Sequence, residues 1–308
     1  MLEMQITSEK LKDVVKELER AVVEHRWWLH DWHRSLIFDL PINQTCFSKH
    51  AHRQCHFGRW YYRQSFPIPS SLSGFEMIDP HHRRLHKSAY ALALKIRKGS
   101  VVCLHDYEDL IDKEWHFNKA VLDFKETLLK MLFEFDPLTD IFNRQALMRI
   151  LQSEYARLLR TDASCCICMV DLDRFKSVND THGHQAGDAV LHAIAQFLSR
   201  ELRPYDAVCR FGGEEFLICL PNTTPADAGG IMDRLRRGLA SQKIALGKGG
   251  SVRITASFGV AEMLMDRSVE AAIARADEAM YAAKRAGRNR VVVYDASSGT
   301  WAPWEKDS

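Results

Sequence analysis

Two glutamates follow two glycines in Arg210-Phe211-Gly212-Gly213-Glu214-Glu215-Phe216, and two aspartates close the apolar run Met169-Val170-Asp171-Leu172-Asp173. Gly212 and Gly213 suit the positive φ of a two-residue hairpin turn, which predicts both glutamates at the start of the returning strand. If the run ending at Asp171 is a strand beside that hairpin, carboxylates converge at one end of a sheet. Carboxylates so close repel one another, and a hard divalent cation relieves the repulsion. Mg²⁺ held by one or two carboxylates and substrate phosphates is the usual pattern. Taken alone, Gly-Gly-Glu-Glu reads more readily as a solvated hairpin tip.

A second group of chemically capable residues lies upstream. In Asp79-Pro80-His81-His82-Arg83-Arg84-Leu85-His86 a helix start is expected, with Asp79 as cap and Pro80 in the first turn. His82 and His86 then share one face, one turn apart, which is metal-ligand spacing. Surface histidines are the ordinary reading of one such pair, but two further segments strengthen the metal reading. These are Ala21-Val22-Val23-Glu24-His25-Arg26-Trp27-Trp28 and Gln54-Cys55-His56-Phe57-Gly58-Arg59-Trp60-Tyr61.

The elements that must position these groups fall into two textures. Eleven of the 14 histidines and five of the seven tryptophans lie at or before His116. Up to Pro137 the periodicity is helical, beginning with the stripe Leu11, Val14, Val15, Leu18 and Val22, and no strand pattern interrupts it, so a helical bundle is expected. Phe117, Val121, Phe124, Leu128, Met131 and Phe135 form either a short coiled-coil seam or a core-facing stripe. Beyond Pro137 helices alternate with strands at Cys165 to Asp171, the hairpin Ala207 to Leu220, Ile254 to Met263 and Val291 to Asp295. That mixture fits an α+β domain on a mainly antiparallel sheet. The expected division is 1–135, 136–296 and a tail, 297–308.

Composition narrows the function classes. Lysine and arginine total 42 against 40 acidic residues, and a net charge of +2 supplies no broad basic field for nucleic acid. No run reaches the ~18 apolar residues of a membrane span, and Met1 to Val15 lacks the apolar centre of a signal peptide. No membrane insertion and a cytoplasmic location are expected. Cys165, Cys166 and Cys168 crowd one strand-like run, which suggests reduced, buried thiols.

Three blocks around the hairpin occur in a telling order: Asp136-Pro137-Leu138-Thr139-Asp140-Ile141-Phe142-Asn143-Arg144, then Asp171-Leu172-Asp173-Arg174-Phe175-Lys176-Ser177-Val178-Asn179-Asp180, and later Ala283-Lys284-Arg285-Ala286-Gly287-Arg288-Asn289. Together with Gly-Gly-Glu-Glu-Phe they resemble the GGDEF domain of diguanylate cyclases, over about Asp136 to Asp295. The resemblance implies a palm-like nucleotidyl cyclase fold and condensation of two GTP into cyclic di-GMP with release of pyrophosphate. It implies Mg²⁺ on Asp171, Glu214 and the Leu172 carbonyl, and Glu215 as the group assisting deprotonation of the ribose 3′-hydroxyl. Asn179 and Asp188 match guanine-reading positions, and Lys176, Lys284 and Arg288 match triphosphate contacts. Arg203-Pro204-Tyr205-Asp206 matches an inhibitory product site in which Arg203 and Asp206 hold cyclic di-GMP, with Arg234 or a neighbour completing it. Because each domain binds one GTP, a homodimer is implied, built through the bundle and the seam from Phe117 to Phe135.

The upstream segments resemble the chemoreceptor zinc-binding domain, over about Lys10 to Leu104. That resemblance implies a four-helix bundle whose Zn²⁺ ligands are His25, Cys55, His82 and His86, and thiolate with imidazole favours Zn²⁺ over Mg²⁺. The two domains in this order imply a cyclase controlled by zinc, with inhibition the expected sign. The competing reading is a catalytically silent GGDEF receptor for GTP or cyclic di-GMP, and the intact Gly-Gly-Glu-Glu-Phe, Asp171 and Lys284 argue against it.

Overall fold

A computed structural model of the chain describes residues 7–38, 40–42, 47–62, 74–161, 163–246, 250–264, 268–296 and 298–304. The chain divides into two compact units, 6–133 and 134–308.

The first unit is helical. Its long helices are α1 (Ser8–Phe38), α4 (Phe75–Arg97) and α5 (Leu104–Leu132), and its fourth position is filled by two short pieces, α2 (Ala51–Gln54) and α3 (His56–Tyr61). The break between α2 and α3 falls at Cys55, which is extended (ψ 163°) and accepts the Gly58 N–H on its sulfur as the cap of α3. The buried face of α1 is Leu11, Val14, Leu18, Ala21, His25, Leu29 and Trp32. Val15 and Val22 sit on its shoulder, and His25 takes a core position on the same stripe.

One expectation is corrected, and one open alternative is narrowed. Asp79 does not cap α4, because buried Phe75 and Ile78 carry the helix one turn further back, to a start after Gly74 (φ 95°). Phe75 stacks on Tyr61 with ring centroids 4.5 Å apart, and Asp79 instead accepts from Arg83 Nε at 2.9 Å and from the Tyr62 hydroxyl. The first four residues of the stripe on α5 face the core of their own bundle, and Met131 and Phe135 are half-buried. Phe117, Val121, Phe124 and Leu128 are buried, and Phe117 meets the His25 and Phe57 rings at 5.0 and 4.9 Å within its own bundle. Four consecutive apolar contacts at 4-3-4 spacing satisfy a bundle core as well as a dimer, so periodicity alone could not choose.

The second unit is built on a seven-stranded sheet. In chain order it runs β1 (Phe142–Asn143), α6 (Arg144–Leu158), β2 (Cys165–Leu172), α7 (Phe175–His182), α8 (His184–Glu201), β3 (Ala207–Gly212) and β4 (Glu215–Pro221). It continues with α9 (Pro225–Ser241), β5 (Ile244–Leu246), β6 (Gly250–Val252), β7 (Ala256–Glu262), α10 (Val269–Arg285), β8 (Val291–Asp295) and β9 (Thr300–Pro303). The sheet order is β1-β3-β4-β2-β7-β8-β9, and β5 pairs with β6 separately. Only β1 with β3 and β7 with β8 are parallel; the other sheet pairs are antiparallel.

Every residue of β2 is buried because both faces of the sheet are covered. Cys166, Cys168, Val170 and Leu172 pack with residues of α7, α8 and α9, while Cys165, Ile167 and Met169 pack with α6 and α10. The period-2 alternation of a strand therefore puts Asp171 on the α10 side. Residues 297–308, set apart by sequence as a tail, include β9, which pairs with β8 from Val292↔Pro303 to Asp295↔Thr300; positions 297 and 305–308 lie outside the described residues. Trp304 follows, its ring lying against Gly229 of α9, an anchor that the sequence alone does not display.

Candidate active site and metal centre

The three carboxylates of the hairpin site meet at one end of the sheet. Asp171 on β2 is the direct register partner of Glu215 on β4, and the Leu172 N–H donates to the Glu214 carbonyl at 3.3 Å. The turn differs from expectation by one residue: Gly212 pairs with Glu215 after a register shift, so Gly213 (φ 36°) and Glu214 form the tip. Arg210 holds this turn, donating from Nε and Nη2 to the Gly213 carbonyl at 3.0 and 2.9 Å. Lys284, from the last turn of α10, sets its ammonium 2.6 Å from Asp171.

Burial raises all three carboxyls above the usual carboxylate range. For Asp171 burial is the main cause and Lys284 opposes it. For Glu214 and Glu215 burial is seconded by the charge of Asp171, and Asp277 on α10 adds to the effect at Glu215. Three repelling carboxylates with oxygen donors only, opposed by Lys284 and, at Glu215, by Arg144, fit a hard divalent cation.

The neighbouring loop is fixed by Asp173. Its buried carboxylate accepts from Thr255 and Ser257 hydroxyls at 2.7 Å each and from the Asn289 N–H at 3.0 Å. This ties the β2–α7 loop to the segment carrying Arg288, which is itself left-handed at φ 63°. Asn179 on α7 lies against Gly187, the residue before Asp188 on α8: a Cβ there would lie 1.9 Å from Asn179 Oδ1. Lys176 is exposed in the first turn of α7. Arg203 and Asp206 form a closed turn before β3, where the Arg203 N–H donates to Asp206 at 2.9 Å. Burial raises the Asp206 carboxyl while Arg203 and Arg234 lower it, which puts Arg234 of α9 within electrostatic reach.

The histidine site assembles from four positions of the bundle. One ligand atom from each of His25, Cys55, His82 and His86 lies within 4.8 Å of the other three. Cys55 Sγ is 3.3 Å from His82 Nε2. Both ring nitrogens of His25 and of His86, and Nδ1 of His82, are buried without a hydrogen-bond partner. Buried polar nitrogens left unpaired are costly, and a metal ion would satisfy them. Burial lowers the His25 pKa to about 4 and that of His86 to about 2, and holds His82 well below the ordinary value, so the imidazoles stay neutral and able to ligate. The Cys55 thiol is pushed up to about 11 by burial. Soft sulfur with three imidazoles in a closed set suits Zn²⁺.

Sequence reasoning missed several supports. Trp28 lies on His25 and His86 with centroids 5.1 and 4.4 Å away. Gly58 leaves room for the α2–α3 corner, since a Cβ would sit 1.8 Å from the His52 carbonyl oxygen. Isolated glycines inside helical patterns, Gly58 and Gly187, were the available signal. Asp173 and Asn289 carried none of their own.

The fold and this pair of sites define a nucleotidyl cyclase domain behind a metal-binding helical bundle. Comparison with known proteins agrees. Residues 133–290 match the diguanylate cyclase GGDEF domain and residues 15–93 the chemoreceptor zinc-binding domain. The chain belongs to the GGDEF family of diguanylate cyclases. It is similar to diguanylate cyclase DgcZ of Escherichia coli (strain K12), 29% identical over 92% of this chain and 94% of that protein. Among solved structures, the coiled coil and GGDEF domain of DgcB from Caulobacter crescentus in complex with c-di-GMP aligns with a TM-score of 0.55 and 29% identity, covering 59% of this chain and 98% of that one. Diguanylate cyclase SiaD from Pseudomonas aeruginosa, in complex with its activator SiaC, aligns over 89% of this chain and 99% of its own, with a TM-score of 0.52 and 30% identity. Among the described residues no helix is long and apolar enough to cross a membrane.

Proposed function

We propose that the second unit condenses two GTP molecules into cyclic di-GMP and pyrophosphate, and that the helical unit makes this activity responsive to zinc. The observation that carries the reading is the register Asp171↔Glu215 with Glu214 at the adjoining turn and Lys284 at 2.6 Å. Asp171, Glu214 and the Leu172 carbonyl would hold Mg²⁺, which when bound neutralises charge on the α-phosphate and lowers the pKa of the attacking hydroxyl. Glu215, with a raised pKa, accepts the 3′-hydroxyl proton. Asn179 and Asp188 read guanine, the carboxylate taking its paired N–H donors. Lys176, Lys284 and Arg288 position the triphosphate. Each domain carries one nucleotide, so two chains must meet for the ring to close.

His25, Cys55, His82 and His86 would hold Zn²⁺, which would clamp α1, the α2–α3 corner and α4. Because α5 of the same bundle runs on into the cyclase unit, zinc restrains the encounter of two cyclase units and inhibits. Arg203 and Asp206, with Arg234, bind cyclic di-GMP and supply product feedback. Intact Lys284 and the three carboxylates favour the enzyme over a silent receptor. The test is incubation of the full chain with GTP and Mg²⁺, with zinc added or chelated, followed by chromatography of the nucleotides. Formation of cyclic di-GMP, faster after chelation, is expected. Absence of product under both conditions overturns the enzyme reading, and equal rates overturn zinc control.

A further inference from the structure

Beside the hairpin site, a cleft of about 520 Å³ opens between the β2–α7 loop, the segment before β7 and the α10–β8 loop. Each of these segments contributes one arginine: Arg174, Arg253 and Arg288. All three are exposed, and none is ion-paired to a carboxylate among the described residues. Asp173, the carboxylate on the cleft wall, is occupied by Thr255, Ser257 and the Asn289 N–H. The cleft therefore sets three guanidinium groups against the one carboxylate of Asp173, which is turned to its own hydrogen-bond donors.

Its backbone is also unusual. Of five described non-glycine residues with positive φ, three line this cavity: Arg174 at 55°, Arg288 at 63° and Asn289 at 46°. Such conformations are strained and persist where the surroundings enforce them, which is common at ligand clamps. Here the Asp173 hydrogen bonds enforce one side. On the other, Arg174 precedes α7, which starts with no side-chain cap.

The cleft's place relative to the carboxylates fixes what it would take. Lys284 touches Asp171, and Arg288 follows four residues later in the chain. Asp173 on the cleft wall stands two residues beyond Asp171, so the cleft adjoins the carboxylates along β2 and the loop after it. We propose that Arg174 and Arg253, which the family pattern does not assign, are specificity residues that grip the β- and γ-phosphates and hold the departing pyrophosphate. This rests on the cyclase reading above. In the step itself the 3′-oxygen forms a bond to the α-phosphorus and its proton passes to Glu215. The bond from that phosphorus to the bridging oxygen breaks, and the electron pair leaves with pyrophosphate, whose added charge the planar guanidinium forks meet.

The experiment is calorimetric titration of the full-length chain in a Glu215→Gln background, with Mg²⁺, using GTP, GMP and inorganic pyrophosphate as probes. Arg174→Ala and Arg253→Ala should each weaken GTP and pyrophosphate about tenfold or more while GMP affinity stays unchanged, and Arg253→Lys should recover only part of the loss. Unchanged GTP and pyrophosphate affinities in both alanine variants overturn the assignment, as does a loss shared equally by GMP. If the background protein binds pyrophosphate but no GTP, the cyclase reading fails while the anion cleft stands.

Discussion

Arg210 reaches across to Asp136, its Nη1 lying 3.4 Å from both carboxylate oxygens, while Nε and Nη2 hold the Gly213 carbonyl. One side chain therefore joins the first residues of the cyclase unit to the turn that presents Glu214. Asp136 is itself fixed by the Thr139 N–H and hydroxyl at 2.9 and 2.7 Å. In Arg210→Ala the turn loses its brace without losing a group that touches substrate. Misplacement of a reacting group by about 1 Å can cost ~10²-fold, so kcat should fall by one to two orders of magnitude with KM for GTP little changed. Arg210→Lys should recover little, since an ammonium cannot make the fork. Steady-state kinetics of the three proteins is the check, and a variant with normal kcat would remove the brace from the mechanism.

Gly187 makes a separate prediction about the guanine end. A methyl group there would meet Asn179 Oδ1 at 1.9 Å, and the Phe175 ring stands 3.1 Å away on the other side. The amide must move, and a lost hydrogen bond to the base costs about 1–3 kcal/mol when its partner is left unpaired. Gly187→Ala should raise KM for GTP roughly tenfold and narrow the preference for GTP over ATP. Competition between the two nucleotides measures it; unchanged preference would mean that Asn179 does not read the base.

What the sequence disclosed and what it withheld divide along physical lines. The carboxylate and histidine positions stood out because spacing within a motif survives any packing, and His25, Cys55, His82 and His86, the set that the family pattern implied, lie close together. The start of α4 was missed because Pro80 is a strong local signal, yet Phe75 and Ile78 bury one turn earlier and tertiary packing outweighs it. The hairpin was displaced by one residue because the shift after Arg210 is imposed by the Arg210 bonds to Gly213, which no local propensity encodes. Short β1, β5 and β6 have too few residues to show alternation. Asp173 was passed over because its role is defined by Thr255, Ser257 and Asn289, each more than eighty residues away in the chain.

Gly259 on β7 is a test of how closely α10 must lie. A Cβ would fall 2.0 Å from the Met280 amide nitrogen and 2.2 Å from the Ala276 carbonyl oxygen, backbone atoms that no rotamer change can clear. Gly259→Ala must push α10 off the sheet. Overpacking of this kind costs about 1–3 kcal/mol, and urea unfolding should show a loss in that range or above. Because α10 carries Lys284 to Asp171, GTP turnover should fall with it even at temperatures where the protein remains folded. Full stability in the variant would contradict the tight α10–β7 contact.

The proposed product feedback can be tested apart from catalysis. Arg203 lies in the exposed turn before β3, with its guanidinium 3.1 Å from the Tyr205 hydroxyl, and no hairpin carboxylate takes part in that turn. Arg203→Ala should leave the initial rate within about twofold and raise the concentration of cyclic di-GMP needed for half-inhibition at least tenfold, because a forked contact to phosphate and guanine is lost. Progress curves with and without added product give both numbers. Inhibition equal to wild type would reduce the segment to a surface turn.

The buried histidine cluster predicts a pH dependence whose sign follows from burial. His25 is held down to about 4, His86 to about 2 and His82 well below its ordinary value, all chiefly by desolvation. In the unfolded chain these imidazoles titrate near ~6.5. A folded pKa below the unfolded one means that the unfolded state binds more protons as pH falls. The contribution to stability is therefore complete above about pH 6.5 and is lost progressively as pH falls toward the folded values, with a slope of up to three protons. Zinc would occupy the same nitrogens, and its loading would release the Cys55 proton, whose pKa is pushed up to about 11 without metal. Chelated protein should accordingly lose bundle stability steeply between pH 6.5 and 5, and zinc-loaded protein should resist to lower pH. Urea melts followed by tryptophan fluorescence suit the test, since five of the seven tryptophans lie in the bundle. His86→Leu should flatten the slope of the chelated protein by about one proton. Equal stability of chelated protein at pH 7.5 and 5 would show that the three imidazoles are not held neutral by the fold.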